Sequence, residues 1–422
     1  MKFFFKKSYS KISMYKSDMI YTSSNLFVPI SGFVGSIIAV AYISPENMGI
    51  YQSVLLLLFY TNFMHLGVFQ GLNRNISFYK AKNQLDVVQE QVNTSFTVAL
   101  FVSIIGSLGG VLFFIYELFH DRNIYYLLAI VLLIINLVVI PLKTHFEATY
   151  RSSSQFGLLG KIIYKENLLF AITSLLPIVI GYYGKIISDS IKSIYSFYLR
   201  FSNLIIKSNG VGSKKQLFDL IKVGFPILIS GYLWGLFVVA DQSYIAISFD
   251  KVELGYYTLS KLIITSMIIV PNSINALLYP KMSALYAKTN KRSSLRQYIK
   301  KTILINAIII SPILIIAYFF VGDLVESFLP KYINGIEAAK MNILACFSLI
   351  IMSPSAIFGI LEKNKIYLIF LSVILSLFWF SCYALPDYFS TILIVAKFKF
   401  ILSLILSLFV LLYTLFLTKD NN

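Results

Sequence analysis

The fold class predicted for this chain is an all-α integral membrane protein with about 12 transmembrane helices in two six-helix lobes, on three observations. Of the 422 residues 58% are hydrophobic, mean hydropathy is +0.77 and only 13% are charged, about half the charged share of a soluble domain. A soluble helical core of this composition would lack the polar residues to cover its surface. Apolar runs of about 18 residues or more, enough to cross a bilayer as a helix, recur along the chain. Basic residues collect in alternate loops, as cytoplasmic loops require.

Residues 1–18 form a cytoplasmic basic arm that lacks the small-residue cleavage site of a secretory leader. Spans 1 to 5 follow at 19–42, 49–72, 93–116, 124–142 and 167–183. The stretch 186–206, "IISDSIKSIYSFYLRFSNLII", carries Asp189, Lys192 and Arg200, and on hydropathy alone reads as a span or as an interfacial helix. Loop charge decides for a sixth span, closing an N-lobe of 19–206. With the N-terminus inside and this segment crossing, 27 of the 36 basic residues fall in cytoplasmic loops. Without the crossing, the seven between Lys281 and Lys301 would face outward. Asp121, Arg122 and Lys185 fall in outer turns.

A cytoplasmic linker, 207–222, leads to a C-lobe of 223–417, with spans at 223–249, 255–280, 302–321, 340–361, 366–385 and 391–417, and a cytoplasmic C-terminus at 418–422. Lys397 and Lys399 break the pattern, so the last span either starts late or faces a wet interior. Segment 281–301, basic and helix-prone, suits the anionic cytoplasmic leaflet. Tyrosine pairs at 125–126, 182–183 and 256–257 suit an aromatic belt at the outer interface.

The halves also repeat. At an offset of 206, Gly49 meets Gly255, Tyr51 meets Tyr257, Ser77 meets Ser283, Ala81 meets Ala287 and Lys82 meets Lys288. An even number of spans separates the copies, so they share orientation. Parallel repeats of this kind place a substrate site where the halves meet.

Several function classes are excluded. A net charge of +17 would suggest nucleic acid in a soluble chain; here the charge lies in loops, and no nucleic-acid partner is expected. Cys346 and Cys382 sit in apolar runs and form no disulfide framework or metal motif. His65, His120 and His145 lack metal spacing, and no phosphate-binding loop is present to couple ATP. No cofactor and no enzymatic activity are expected. Outer loops are short, the longest at 322–338, which argues against a polysaccharide polymerase or ligase, and no segment resembles a channel filter.

The segments "SPENMGIYQSVLLLL", "LGVFQGLNRNISFYKAK", "IKVGFPILISGYLWGLFVVADQSYIA", "LGYYTLSKLI", "LLYPKMSALYAK" and "FLPKYINGIEAAKMNIL" resemble the polysaccharide transporters of the multidrug/oligosaccharidyl-lipid/polysaccharide exporter superfamily. The likeness is greatest to bacterial O-antigen flippases. It covers nearly the whole chain and rests on diffuse Gly, Pro, Tyr and Asp patterns. It implies two lobes around a central cavity, rocking between inward-open and outward-open states. The implied cargo is undecaprenyl-pyrophosphate-linked oligosaccharide, moved from the inner to the outer leaflet. Implied partners are membrane lipids, H⁺ or Na⁺ as coupling ion, and the polymerase and chain-length regulator of the same pathway. The implied location is the cytoplasmic (inner) membrane, with both termini cytoplasmic. A multidrug/cation antiporter of the same architecture is the alternative.

Six residues are candidates for the substrate or ion pathway. Asp241 lies nine residues before Asp250 and Lys261 eight after Glu253, which places both about 12–14 Å below the outer boundary on adjacent helices. Ionisable groups in spans face the interior and have partners, so the two either pin span 7 to span 8 or line the cavity. Asp241 matches the aspartate that the resembled family has in its seventh span. A pyrophosphate cargo needs cations, and Lys261, Lys192 and Arg74 are the candidates; Arg74 at the inner interface also suits lipid headgroups. Asn25 and His65 are polar groups in spans 1 and 2. Pro29, Pro226 and Pro271 interrupt spans and offer hinges or static kinks.

With Cys346 and Cys382 replaced by serine, a single cysteine at Ser294 is expected to react with an impermeant maleimide only from the cytoplasmic side. One at Asn334 is expected to react only from outside; the reverse pattern would remove this topology.

Overall fold

A computed structural model describes residues 2–120 and 123–419. Asp121 and Arg122, the far C-terminus 420–422 and the side chains of the basic arm, 2–16, lie outside the described residues. The described chain is helical, and it divides into two compact units: residues 1–43 with 50–231, and residues 44–49 with 232–422.

The first unit contains α1 (Lys2–Tyr42), most of α2 (Pro45–Thr61), α3 (Val68–Ala81), α4 (Leu85–His120), α5 (Ile124–Ser152), α6 (Phe156–Thr173), α7 (Leu176–Ser202) and the start of α8 (Lys214–Ser248). The rest of α8 belongs to the second unit, with α9 (Lys251–Tyr256), α10 (Thr258–Thr289), α11 (Arg296–Phe328), α12 (Ile336–Met352), α13 (Ala356–Ile360), α14 (Asn364–Ala384) and α15 (Ile392–Leu417).

Among the described residues nine helices are long and apolar enough to cross a membrane, and two bent pairs join them. The α2–α3 pair bends by 49°. There Leu66 and Gly67 take positive φ, and the Gly67 N–H donates to His65 Nδ1 at 3.1 Å. The α6–α7 pair turns by 117°, so α7 runs back against α6. Counted as one span each, the two bent pairs bring the total among the described residues to 11, against about 12 expected. Large apolar side chains stand outward, as a bilayer-facing surface requires; Leu112, Phe119, Phe319 and Phe416 are each at least 68% exposed.

The fifth span is displaced from its expected place. The run 167–183 is apolar throughout, yet α6 already begins at Phe156 and ends at Thr173. Ser174 closes it, Pro177 stands in the first turn of α7, and Gly181 adopts φ +52°. Hydropathy cannot register a chain reversal made of apolar residues. The uncertain stretch 186–206 belongs largely to α7, which packs against α1, α5 and α6.

The 206-residue repeat is built into a backbone contact. A Cβ on Gly49 would lie 1.7 Å from the Lys251 carbonyl oxygen, and one on Gly255 would lie 1.8 Å from the Pro45 carbonyl oxygen. Pro45 and Lys251 are themselves one repeat apart, so each copy's glycine receives the first turn of the other. Only glycine permits that approach. Gly49→Ala and Gly255→Ala are therefore expected to lower the yield of monodisperse protein and its melting temperature in detergent. Gly32→Ala, with nothing within 4 Å of its new methyl, is expected to leave both unchanged.

Candidate functional site

Each unit holds a buried polar centre among its apolar helices. In the second unit it starts from Asp241, on α8 and 1% exposed. Its Oδ2 accepts from the Tyr257 hydroxyl at 2.6 Å, and Asn342 on α12 donates to the same hydroxyl oxygen at 3.1 Å. Its Oδ1 lies 3.7 Å from Lys399 Nζ, which comes from α15. Lys399 also donates to the Phe237 carbonyl and stands 4.1 Å from that residue's ring centroid. A carboxylate in hydrocarbon is costly unless paired, and this one receives a cation and a hydroxyl.

Lys399 is a partner of Asp241 that the depth argument for Lys261 does not supply. The ion pair of Asp241 is made by Lys399, the basic residue that broke the loop-charge pattern. The pairing with Lys261 was argued from shared depth on sequence-adjacent helices. Depth alone does not select a neighbour, and α15 brings its ammonium to the carboxylate from elsewhere in the unit. Lys261 is half-buried on α10. Tyr257, assigned to an outer aromatic belt, is a core residue that donates to Asp241. Tyr182 is buried as well, its hydroxyl on the Tyr125 carbonyl at 2.8 Å.

The first unit repeats the motif. Tyr51, one repeat before Tyr257, donates to Asp189 Oδ2 at 2.5 Å, and Lys185 Nζ approaches that oxygen at 3.0 Å. Lys185 is thus buried in an ion pair rather than set in an outer turn. Deeper in the unit, Arg200 on α7 is 1% exposed. It contacts Glu166 at 2.6 Å and Glu147 at 2.9 Å, and Lys143 reaches Glu166 at 3.2 Å. The loop count had placed Lys143 and Arg200 among the cytoplasmic cations. Their carboxylate partners on α5 and α6 allow them inside.

A cavity of about 280 Å³ opens beside this network, lined by Tyr51, Asn136, Lys143, Glu166, Asp189 and Lys192, among others. Lys192 Nζ lies 3.8 Å from the centroid of the Phe170 ring. Among the described residues no carboxylate stands within 4.0 Å of it, whereas Lys143, Lys185 and Arg200 all have one. The cavity therefore presents one lysine with no carboxylate in contact, although Asp189 and Glu166 in the same wall act on it at longer range.

The other candidates are dispersed. Arg74 is exposed on α3. Asn25 is exposed on α1 and donates to the Tyr21 carbonyl at 2.8 Å. His65 is buried at the α2–α3 break, 4.6 Å from Phe69 between ring centroids, and it edges a much smaller cavity of about 20 Å³. Among the described residues no three His, Cys, Asp or Glu side chains are placed to share a metal ion. Glu147, Glu166 and Lys399 are the residues that sequence reasoning missed. For Lys399 a signal existed, a lysine well inside the last apolar run.

The family described as polysaccharide biosynthesis protein matches residues 41–332. Among curated proteins nothing matches. Solved structures give the fold. An inward-facing multidrug resistance MATE family transporter of the MOP superfamily superposes with a TM-score of 0.72 at 12% identity, over 94% of this chain and 97% of that one. The lipid II flippase MurJ, in an inward closed conformation, gives 0.70 at 16% identity over 95% and 90%. A MOP superfamily transporter from Pyrococcus furiosus gives 0.65 at 12% identity over 96% of both chains.

Breaking a buried ion pair from one side leaves an uncompensated charge and costs about 3–5 kcal/mol. Lys399→Met is thus expected to lower the melting temperature of the purified protein sharply, and Asp241→Asn with Lys399→Met to recover most of the loss. A double variant no more stable than Lys399→Met would refute the coupling.

Proposed function

The chain belongs to the polysaccharide biosynthesis protein family, and from that membership we propose that it is a flippase for lipid-linked oligosaccharide. It moves undecaprenyl-pyrophosphate-linked repeat units, of O-antigen or another surface polysaccharide, from the inner to the outer leaflet of the cytoplasmic membrane. The lipid tail stays in the bilayer while sugar and phosphates pass through protein by alternating access.

The observation that carries this reading is the first unit's cavity, with Lys192 in its wall and, among the described residues, no carboxylate in contact with it. A phosphate oxygen entering hydrocarbon needs a cation or hydrogen-bond donors. Lys192 supplies the charge, and Asn136, Ser193 and Ser196 on the same wall supply amide and hydroxyl groups. The inside-negative potential favours outward movement of an anion by about 2.3 kcal/mol per charge per 100 mV. Arg74, exposed on α3, suits capture of headgroups at the inner leaflet. H⁺ or Na⁺ coupling would act through the Asp241 centre, with Lys261, His65 and Asn25 as further polar groups of the ion pathway.

The alternative, a multidrug or cation antiporter, calls for an acid free to receive a cationic drug. Asp241 and Asp189 each hold a lysine instead, which favours the flippase. A polymerase is disfavoured by the short outer connections.

A strain lacking the gene is expected to accumulate lipid-linked repeat units on the cytoplasmic side. Lys192→Arg is expected to restore export, and Lys192→Ala to restore about a tenth or less, the worth of one charge-assisted contact. Both variants must be present at wild-type levels in the membrane. Full export by Lys192→Ala would remove the cavity from the transport path.

A further inference from the structure

The second unit holds a cavity of different chemistry from the first. It measures about 180 Å³ and is lined by Trp234, Asn272, Asn275, Ser353, Ser355 and Tyr367, with apolar side chains between them. Its residues come from α8, α10, α14 and the turn between α12 and α13. No lining residue carries a full charge at neutral pH, whereas the first unit's cavity has two lysines and two acids in its wall. The volume is several times a water molecule's share of about 30 Å³.

One of its polar atoms is left unsatisfied from within. Asn275 Oδ1 is buried and has no hydrogen-bond partner, a condition that costs about 1–3 kcal/mol unless something else donates to it. The Ser353 hydroxyl donates to the Ile350 carbonyl at 2.7 Å, which leaves its oxygen able to accept. Two asparagine amides each offer donors and an acceptor. Trp234 and Tyr367 supply aromatic surface with a polar tip. An anion would find no cation here and a cation no carboxylate, so either would lose hydration without compensation. A ligand that is neutral, rich in hydroxyls and apolar on one face satisfies all of these groups, and a pyranose ring has that chemistry.

We propose that this cavity is the subsite for an uncharged sugar residue of the cargo, with Trp234 as its stacking platform and Asn275 as its hydrogen-bonding acceptor. The inference rests on the flippase reading and adds a division of labour to it: charge is met in the first unit and neutral sugar in the second.

The chain has two tryptophans, so Trp379→Phe makes Trp234 the sole indole emitter. This variant is titrated in nanodiscs with three probes: a short polyprenyl pyrophosphate bearing a neutral N-acetylhexosamine disaccharide, the same carrier bearing a hexuronic acid, and the carrier alone. Saturable change in Trp234 emission is expected with the neutral disaccharide alone. Asn275→Leu is expected to weaken that binding about ten-fold, the worth of one well-made hydrogen bond, with affinity for the bare carrier unchanged. If that variant does not fold, Asn272→Ala carries the same expectation. An equal response to the bare carrier or to the uronate, or unaltered binding in the asparagine variants, would overturn the subsite. A protein that binds the neutral probe at Trp234 but flips nothing keeps the subsite and loses the transport reading. One that flips cargo without a Trp234 response does the reverse.

Discussion

Neutralisation of charge inside apolar helices is the constraint from which the rest of this molecule follows. A single carboxylate left bare in hydrocarbon would outweigh much of the favourable packing around it. Asp241 with Lys399, Asp189 with Lys185, and Glu166 with Lys143 and Arg200 are therefore conditions of the fold as much as features of a site. Once they are satisfied, Lys192 stands out as a lysine set over the Phe170 ring with, among the described residues, no carboxylate in contact. The polar chemistry left over after self-neutralisation is what the protein has available for a cargo.

The repeat gives this chemistry an unequal symmetry. Tyr51 and Tyr257 are one repeat apart, and each donates to a carboxylate that is paired with a lysine. The acid and the lysine come from different places in the two copies. In the first, both belong to α7, four residues apart; in the second they join α8 to α15. One ion pair travels with a single helix, and the other fastens two helices together. The conserved element within the duplication is the tyrosine hydroxyl, because it sits in the same turn as the glycine that packs against the opposite copy.

Fold class was legible because apolar run length and loop charge are one-dimensional properties that a bilayer imposes directly. The helix count was legible for the same reason, except where α6 turns back into α7 within an apolar run. Buried ionic partners were not legible. A loop-charge count assigns Arg200 and Lys143 to the cytoplasmic side because each is basic, yet a charge with a partner on a facing helix is tolerated among apolar helices. Sequence adjacency points from Asp241 to Lys261, and it cannot point to Lys399, which the last helix brings to the same carboxylate. Lys399 could be noticed as an anomaly and Lys192 as a polar group on an apolar helix. Whether Lys192 touches a carboxylate depends on where α5 and α6 place Glu147 and Glu166 as well as on Asp189 of its own helix, and no local pattern carries that.

The separation of Asp241 from Lys399 also bears on biogenesis. Asp189 finds Lys185 four residues earlier on its own helix, and Glu166 finds Lys143 already made. Asp241 must wait for 158 further residues to be translated before its lysine exists, roughly 8–30 seconds at ordinary elongation rates. During that interval the carboxylate on α8 lacks the ammonium it faces in the finished fold. The fastening of α8 to α15 is thus completed only with the last helix, and a chain ending before residue 399 would keep the Tyr257 hydroxyl on Asp241 but not its cation.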